Sequence, residues 1–81
     1  MKHPTPNQVI AWLKIHDWQC VREYDFSADF EKDGVRGCVN VPTWAYMNGY
    51  SRRLEMAVDC IATYEGCGYT KLMREMAEVR A

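Results

Sequence analysis

Four carboxylates recur along one stretch of the chain in which apolar and polar residues alternate. Within residues 18–31 the even positions are mostly aromatic or small apolar residues and the odd positions are mostly polar, with Arg22 as the misfit. Alternation with a period of two is typical of β-structure, in which successive side chains point to opposite faces. The odd positions therefore predict an acidic sheet face, formed by Glu23, Asp25, Asp29 and Glu31.

Two interpretations of this predicted acidic face stay open. Antiparallel sheets often leave one face in water, and carboxylates on that face contribute to solubility. However, like charges that share a sheet face repel one another and cost stability. A face that carries four carboxylates is also complementary to a basic partner, such as a nucleic-acid-binding protein.

Aromatic and basic residues form a second cluster between the predicted sheet and the helix that follows it. This loop cluster consists of Trp44, Tyr46, Tyr50, Arg52 and Arg53. Arginines beside aromatic side chains suit phosphate binding and base stacking, and they equally suit a protein-binding hot spot. A loop that only covers the open end of the core would also be rich in aromatic residues. The residue types alone do not separate these three roles.

Catalytic and metal-binding chemistry has little support in the sequence. The four cysteines and two histidines include no pair at the spacing that zinc sites use. The sequence also lacks a nucleophile elbow and a glycine-rich phosphate loop. We therefore expect no metal, no cofactor and no enzymatic activity. We expect four free thiols buried as small apolar side chains, although an even number of cysteines leaves two disulfides open.

Capping signals predict the first helix. Thr5 can cap it, Pro6 suits its first position, and Gln8 completes a capping box. Apolar residues then recur at helical spacing, which predicts a helix over residues 6–16.

Three strands are predicted next. The alternating stretch is too long for one ordinary strand, so we divide it into strands at about 18–23 and 26–32, with Trp18, Phe26 and Phe30 facing the helices. The pair Asp33-Gly34 is typical of a hairpin turn and precedes a third strand at about 35–41.

Two further helices complete the predicted fold. Apolar residues at helical spacing, separated by glycines that are typical of helix ends, predict helices at residues 51–65 and 70–79. The order α-β-β-β-α-α is an α+β fold, a three-stranded antiparallel meander with helices packed on one face. The helix over 51–65 is apolar on more than one stripe, which leaves open a homodimer that buries its second side.

Length and charge limit the function classes. A chain of 81 residues predicts one domain over residues 1–81. A formal net charge of −1 provides no general attraction to nucleic acid or to an anionic membrane. No apolar run is long enough for a membrane span, and the N-terminus does not start a secretory signal. The expected location is therefore the cytoplasm.

One short segment supports a family resemblance. Ile15-His16-Asp17-Trp18-Gln19, which leads from a helix into a strand, is similar to the Gly-Trp junction of the HicA-type mRNA-interferase toxins. Those toxins share the double-stranded-RNA-binding-like fold, and the order of elements over residues 7–65 resembles it. Residues 26–32 contain no histidine where the toxins have one on the middle strand, so no site is carried over. As a small, aromatic-rich and mildly acidic α+β chain, it also resembles accessory proteins of phages and mobile elements, including inhibitors of host defence.

Our first hypothesis is a small protein-binding module, an inhibitor or adaptor, whose acidic face engages a basic protein surface. The alternative is a nucleotide or nucleic-acid binder that uses Arg52, Arg53 and the loop aromatics.

Overall fold

The predicted order of elements is confirmed in a computed structural model, which describes residues 3–44 and 50–81. Its helices and strands occur in the order α-β-β-β-α-α and form an α+β fold. They are α1 (Pro6–Ile15), β1 (Gln19–Glu23), β2 (Ser27–Glu31), β3 (Val39–Pro42), α2 (Tyr50–Glu65) and α3 (Tyr69–Ala77).

The start of α1 follows the predicted capping box. The Thr5 side chain accepts a hydrogen bond from the backbone N–H of Gln8 at 3.2 Å, and the Gln8 side chain accepts one from the Thr5 N–H at 2.9 Å. The Gln8 amide also donates to the carbonyls of Ala77 and Val79, at 2.9 and 3.1 Å. One side chain therefore caps the first helix and attaches it to the end of the last.

A tight turn carries the chain from α1 into the sheet. Asp17 adopts a positive φ of 69°, a conformation that short polar residues tolerate better than most. The Trp18 N–H donates to the Leu13 carbonyl at 2.9 Å, and the Trp18 side chain is buried. The turn thus places a large aromatic side chain under the helices just before β1 begins.

The three strands form one antiparallel sheet in the order β1-β2-β3, as a meander requires. The third strand begins four residues later than predicted. The predicted turn is present, because Val35 donates to the Lys32 carbonyl at 3.1 Å and Gly34 has a φ of 85°. A second change of direction follows at Gly37, with a φ of 96°, so pairing with β2 starts only at Val39.

The core lies between the helices and one face of the sheet. Its members are apolar and buried: Val9, Trp12, Leu13, Trp18, Ala28, Phe30, Val39, Val41, Leu54, Ala57, Val58, Ile61, Ala62, Leu72, Met73 and Met76. Helix α2 packs chiefly on β3, and α1 also contacts β3. All five side chains of β1 are exposed. The helices therefore cover two strands of the sheet and leave the third uncovered.

An ion pair at the end of α2 joins the helix to the sheet and to the loop after β2. Glu65 accepts hydrogen bonds from Trp18 Nε1 at 3.0 Å and from Lys32 Nζ at 2.9 Å. Partial burial raises the pKa of Glu65, but the hydrogen bonds from Lys32 and Trp18 outweigh burial, so the net pKa lies below its ordinary value.

The cysteines are free thiols, as predicted, but their predicted burial is wrong. Cys20, Cys38 and Cys60 are exposed, and Cys67 is partly buried. Cys20 lies on the strand that the helices leave uncovered. Cys60 lies on the flank of α2 that faces away from the core.

Replacing Glu65 with Gln should lower the free energy of unfolding at neutral pH by about 1–2 kcal/mol, because the charged bond with Lys32 is lost while Trp18 keeps an acceptor. Since the folded-state pKa lies below the ordinary value of 4.5, the Glu65 contribution is complete above that value and is lost as pH falls through the folded pKa. Urea unfolding of both proteins across this range should therefore show the wild type losing stability more steeply in acid. Glu31→Gln, which alters an exposed carboxylate, is the control, and parallel acid profiles for wild type and Glu65→Gln would refute the ion-pair role.

Maleimide labelling of the folded protein should modify Cys20, Cys38 and Cys60 rapidly and Cys67 more slowly, because reaction requires an accessible thiolate. Intact-mass measurement after unfolding without reductant should show four adducts. Fewer than four would reveal a disulfide and contradict the structure.

Candidate functional site: the aromatic end of the sheet

A β-bulge in β1 divides the predicted acidic face between the two sides of the sheet. Gln19 pairs with Glu31, but the register shifts between Cys20 and Arg22, so that Glu23 pairs with Ala28. Directly paired residues of an antiparallel ladder point to the same face. Glu23 therefore lies on the side that carries the helices, and the prediction that it shares a face with Asp29 and Glu31 is wrong. The extra residue of the bulge has inverted the alternation.

The other three carboxylates of the predicted acidic face, Asp25, Asp29 and Glu31, also differ from one another in position. Asp25 lies in the turn between β1 and β2, not on a strand. Glu31 is exposed on the sheet face opposite the helices. Asp29 lies on the same face and accepts hydrogen bonds from the Tyr24 hydroxyl at 3.0 Å and from the Asn40 amide at 2.8 Å. Asp29 is thus engaged within the protein, whereas Glu23 and Asp25 are exposed.

Arg22 and Tyr24 continue the network around Asp29. Arg22 Nη1 donates to the Tyr24 hydroxyl oxygen at 3.3 Å. This hydrogen bond, followed by the charges of Tyr24 and Asp29, raises the pKa of Arg22 above its ordinary value. The guanidinium is permanently protonated in any case, so its positive charge offsets the Asp29 carboxylate. The outer sheet face is a mixed polar network and not a continuous acidic surface.

Three exposed aromatic residues lie at one end of the sheet, Tyr24 and Phe26 between β1 and β2 and Trp44 just after β3. Phe26 was expected to face the helices, but it lies in the turn before β2 and is 43% exposed. Its ring stacks on Trp44, with centroids 4.5 Å apart and planes inclined by 28°. Thr43 donates to the Phe26 carbonyl at 2.9 Å, which brings the end of β3 alongside this turn. We call Tyr24, Phe26 and Trp44 the aromatic end of the sheet.

The predicted loop cluster falls only partly within the described residues. Tyr46 and the side chain of Tyr50 lie outside them. Trp44 is 45% exposed, and its neighbour is an aromatic ring of the β1–β2 turn. The exposed carboxylate of Asp25 directly precedes Phe26 in sequence, so the turn that contacts Trp44 carries a negative charge.

The two arginines of the loop cluster lie on different flanks of α2. Consecutive helical residues are about 100° apart around the axis. Arg53 lines a groove beside β3, whereas Arg52 lines a shallow depression with Glu55, Asp59 and Tyr69, and Met56 lies between the two and lines both. Burial, and then the two carboxylates, raise the pKa of Tyr69. Arg52 is therefore surrounded by negative charge, and the structure does not bring the two arginines together as a phosphate clamp.

Residues 3–44 and 50–81 hold neither a metal cluster nor a membrane-spanning helix. In these ranges no group of three or more His, Cys, Asp or Glu residues is arranged to hold a metal ion. The helices described there include none that is long and apolar enough to cross a membrane. Comparison with protein-family models, with curated proteins and with solved structures found no match to this chain. The resemblance to the double-stranded-RNA-binding-like fold stays a prediction.

Sequence reasoning missed the bulge, although the sequence carries its signal. Val21 is apolar at an odd position and Arg22 is charged at an even one, so the alternation inverts at this point. An extra residue in one strand produces such an inversion. The stack of Phe26 on Trp44 had no comparable signal, because it depends on pairing between distant segments.

Replacing Asp29 with Ala should lower the free energy of unfolding by about 1 kcal/mol, because the Tyr24 hydroxyl and the Asn40 amide lose their acceptor. Glu31→Ala, on the same face and strand, should change it by less than about 0.5 kcal/mol. Equilibrium unfolding in urea measures both. Equal effects would show that the network around Asp29 contributes nothing.

Proposed function

We propose that the protein is a non-catalytic protein-binding module, an inhibitor or adaptor, and that the aromatic end of the sheet binds its partner. The observation that carries this proposal is the exposed stack of Phe26 on Trp44, with Tyr24 exposed two residues before Phe26, in a chain whose helices otherwise bury a well-formed core. Tyr24, Phe26 and Trp44 are 48%, 43% and 45% exposed.

Burial of these rings by a partner would release substantial free energy. A large aromatic side chain has about 150–250 Å² to bury; the 43–48% that is still exposed here is about half of that area, and each Å² of apolar surface removed from water contributes about 25 cal/mol. The rings need little ordering on binding, since Phe26 and Trp44 already stack and the Tyr24 hydroxyl is bonded to Asp29. Preorganised aromatic residues of this kind are typical of binding hot spots.

The charges at this end favour a partner with a basic surface. Glu23 and Asp25 are exposed, one on either side of Tyr24 in sequence. Carboxylates at the rim of an interface accelerate encounter with a positively charged protein more than they tighten the final complex. The acidic attraction first inferred for a whole sheet face is therefore proposed for this smaller region.

Nucleotide or nucleic-acid binding is less favoured by the geometry. Arg52 and Arg53 diverge around α2, and Arg52 lies beside two carboxylates. Exposed carboxylates beside the aromatic rings would also repel phosphate groups. This alternative remains an outcome that the same experiment detects.

Trp44→Ala should abolish partner capture while the fold is retained. The full chain is immobilised on a resin and exposed to an extract of the organism that encodes it. Proteins that remain bound are identified by mass spectrometry. Ile15→Ala is the matched control, because it also removes an exposed apolar side chain. Ile15 is 66% exposed and lies at the end of α1, before β1 begins, whereas the aromatic end lies at the other end of β1. With the purified partner, Trp44→Ala should weaken binding by about 2 kcal/mol or more, and thermal unfolding should confirm that both variants are folded.

Asp25→Lys tests the charge component of the same site. It should slow association at low salt, and the effect should shrink as salt is added, because surface charges act within about 8–10 Å. The proposal fails if wild type captures no protein, if Trp44→Ala captures the same partner equally well, or if calorimetry against nucleotides and oligonucleotides finds binding that Arg52→Ala/Arg53→Ala removes.

A further inference from the structure

A groove separate from the aromatic end runs between β3 and α2. Strand β3 is the last of the sheet order, so one of its edges has no neighbouring strand among the described residues. The Thr43 N–H donates to Phe26, and hydrogen-bonded pairs alternate with non-bonded pairs along an antiparallel ladder. The backbone groups of Asn40 and Pro42 therefore point away from β2, toward the groove.

One flank of α2 forms the opposite wall. Arg53, Met56, Ala57 and Cys60 line the groove, at the three- and four-residue spacing that places side chains on one helix face. The groove has a volume of about 370 Å³. Met56 is 61% exposed, so this wall presents unburied apolar surface beside backbone groups that have no partner among the described residues.

Steric limits exclude an antiparallel pairing of two β3 edges in which both copies of α2 lie on the same face of the joined sheet. A symmetric dimer through this edge would place the two β3 strands about 4.8 Å apart. Helix α2 packs chiefly on β3 itself, so the two copies of α2 would be brought to a similar separation. Packed helices need about 8–10 Å between their axes. A single extended segment, with no helix above it, meets no such obstacle.

The charge of the groove indicates the chemistry of this segment. Arg53 is the one charged residue among the described side chains that line it. An acidic side chain in the occupant can pair with the Arg53 guanidinium, and apolar side chains can cover Met56 and Ala57. Pro42 has no backbone N–H, so it can accept a hydrogen bond through its carbonyl but cannot extend the ladder as a donor.

We propose that the groove between β3 and α2 binds an extended acidic segment of a partner protein, which adds a strand at the free edge of β3. The Asn40 N–H and carbonyl and the Pro42 carbonyl bond to the backbone of the segment, and side chains on the helix-facing side of the segment contact Met56 and Arg53. Main-chain pairing of this kind supplies affinity, while the alternate side chains supply specificity. The site is independent of the aromatic end.

The test begins with selection of peptides from a random display library of extended linear sequences, with the full chain as target. Enriched peptides should alternate apolar and polar residues and carry at least one Asp or Glu. Calorimetry should show at least tenfold weaker binding to Met56→Lys and to Arg53→Glu. A peptide whose acidic residue is changed to Lys should bind Arg53→Glu better than it binds the wild type. Arg52→Glu, one residue away but on the other flank of α2, is the matched control and should bind like the wild type.

Amide hydrogen exchange measured by NMR reports the pairing itself. Addition of a selected peptide should slow exchange of the Asn40 N–H. Trp44→Ala should bind the peptides normally, so failure of this proposal and failure of the proposed function give different results. The inference is overturned if selection yields no enriched sequence, or if the enriched peptides bind Met56→Lys as well as the wild type. It is equally overturned if, without any peptide, exchange of the Asn40 N–H slows as the protein concentration rises, because this would indicate pairing with a second copy of the chain.

Discussion

Burial of Trp18 is the constraint on which the arrangement of the other elements depends. The Asp17 turn directs this side chain from the end of α1 into the space between the helices and the sheet. A buried indole N–H needs an acceptor, and Glu65 at the end of α2 supplies it at 3.0 Å. Glu65 also bonds to Lys32 after β2. One aromatic side chain and its acceptor therefore join α1, the sheet, the loop after β2 and the end of α2, which are distant in sequence.

The size of the chain determines which surfaces remain available for binding. The inner faces of β2 and β3 are buried beneath the helices, with α1 and α2 in contact with β3 and α3 packed on α1 and α2, and the side chains of β1 remain exposed. The bulge in β1 then determines which sheet face each of its later side chains occupies, because it places Arg22 on the same face as Asp29 and Glu23 on the opposite face. A small domain has too little core to cover every strand, and the uncovered strand leads directly into the aromatic end.

Two surfaces of different character result from this geometry. The aromatic end combines rigid rings with exposed carboxylates, and it suits recognition of side chains on a basic partner. The groove beside β3 combines backbone groups that are unpaired within residues 3–44 and 50–81 with a cation and an apolar helix flank, and it suits recognition of an extended segment with acidic side chains. One lies at a strand end and the other along a strand edge, and both adjoin β3, because Pro42 lines the groove and Trp44 follows Pro42 by two residues. The two proposed sites would engage partners of opposite charge, as the proposed adaptor role requires.

Local patterns were sufficient to predict the elements and their order. The capping box of Thr5 and Gln8, the apolar spacing of the helices and the alternation of β2 depend on interactions between near neighbours, which the sequence displays directly. The register was not determined in this way, because one inserted residue near Val21 reverses the face of every later residue in β1 and moves Glu23 away from Asp29. The aromatic end and the groove also required tertiary structure. Phe26 meets Trp44, and Arg53 lies beside β3, through contacts between segments that no local pattern connects.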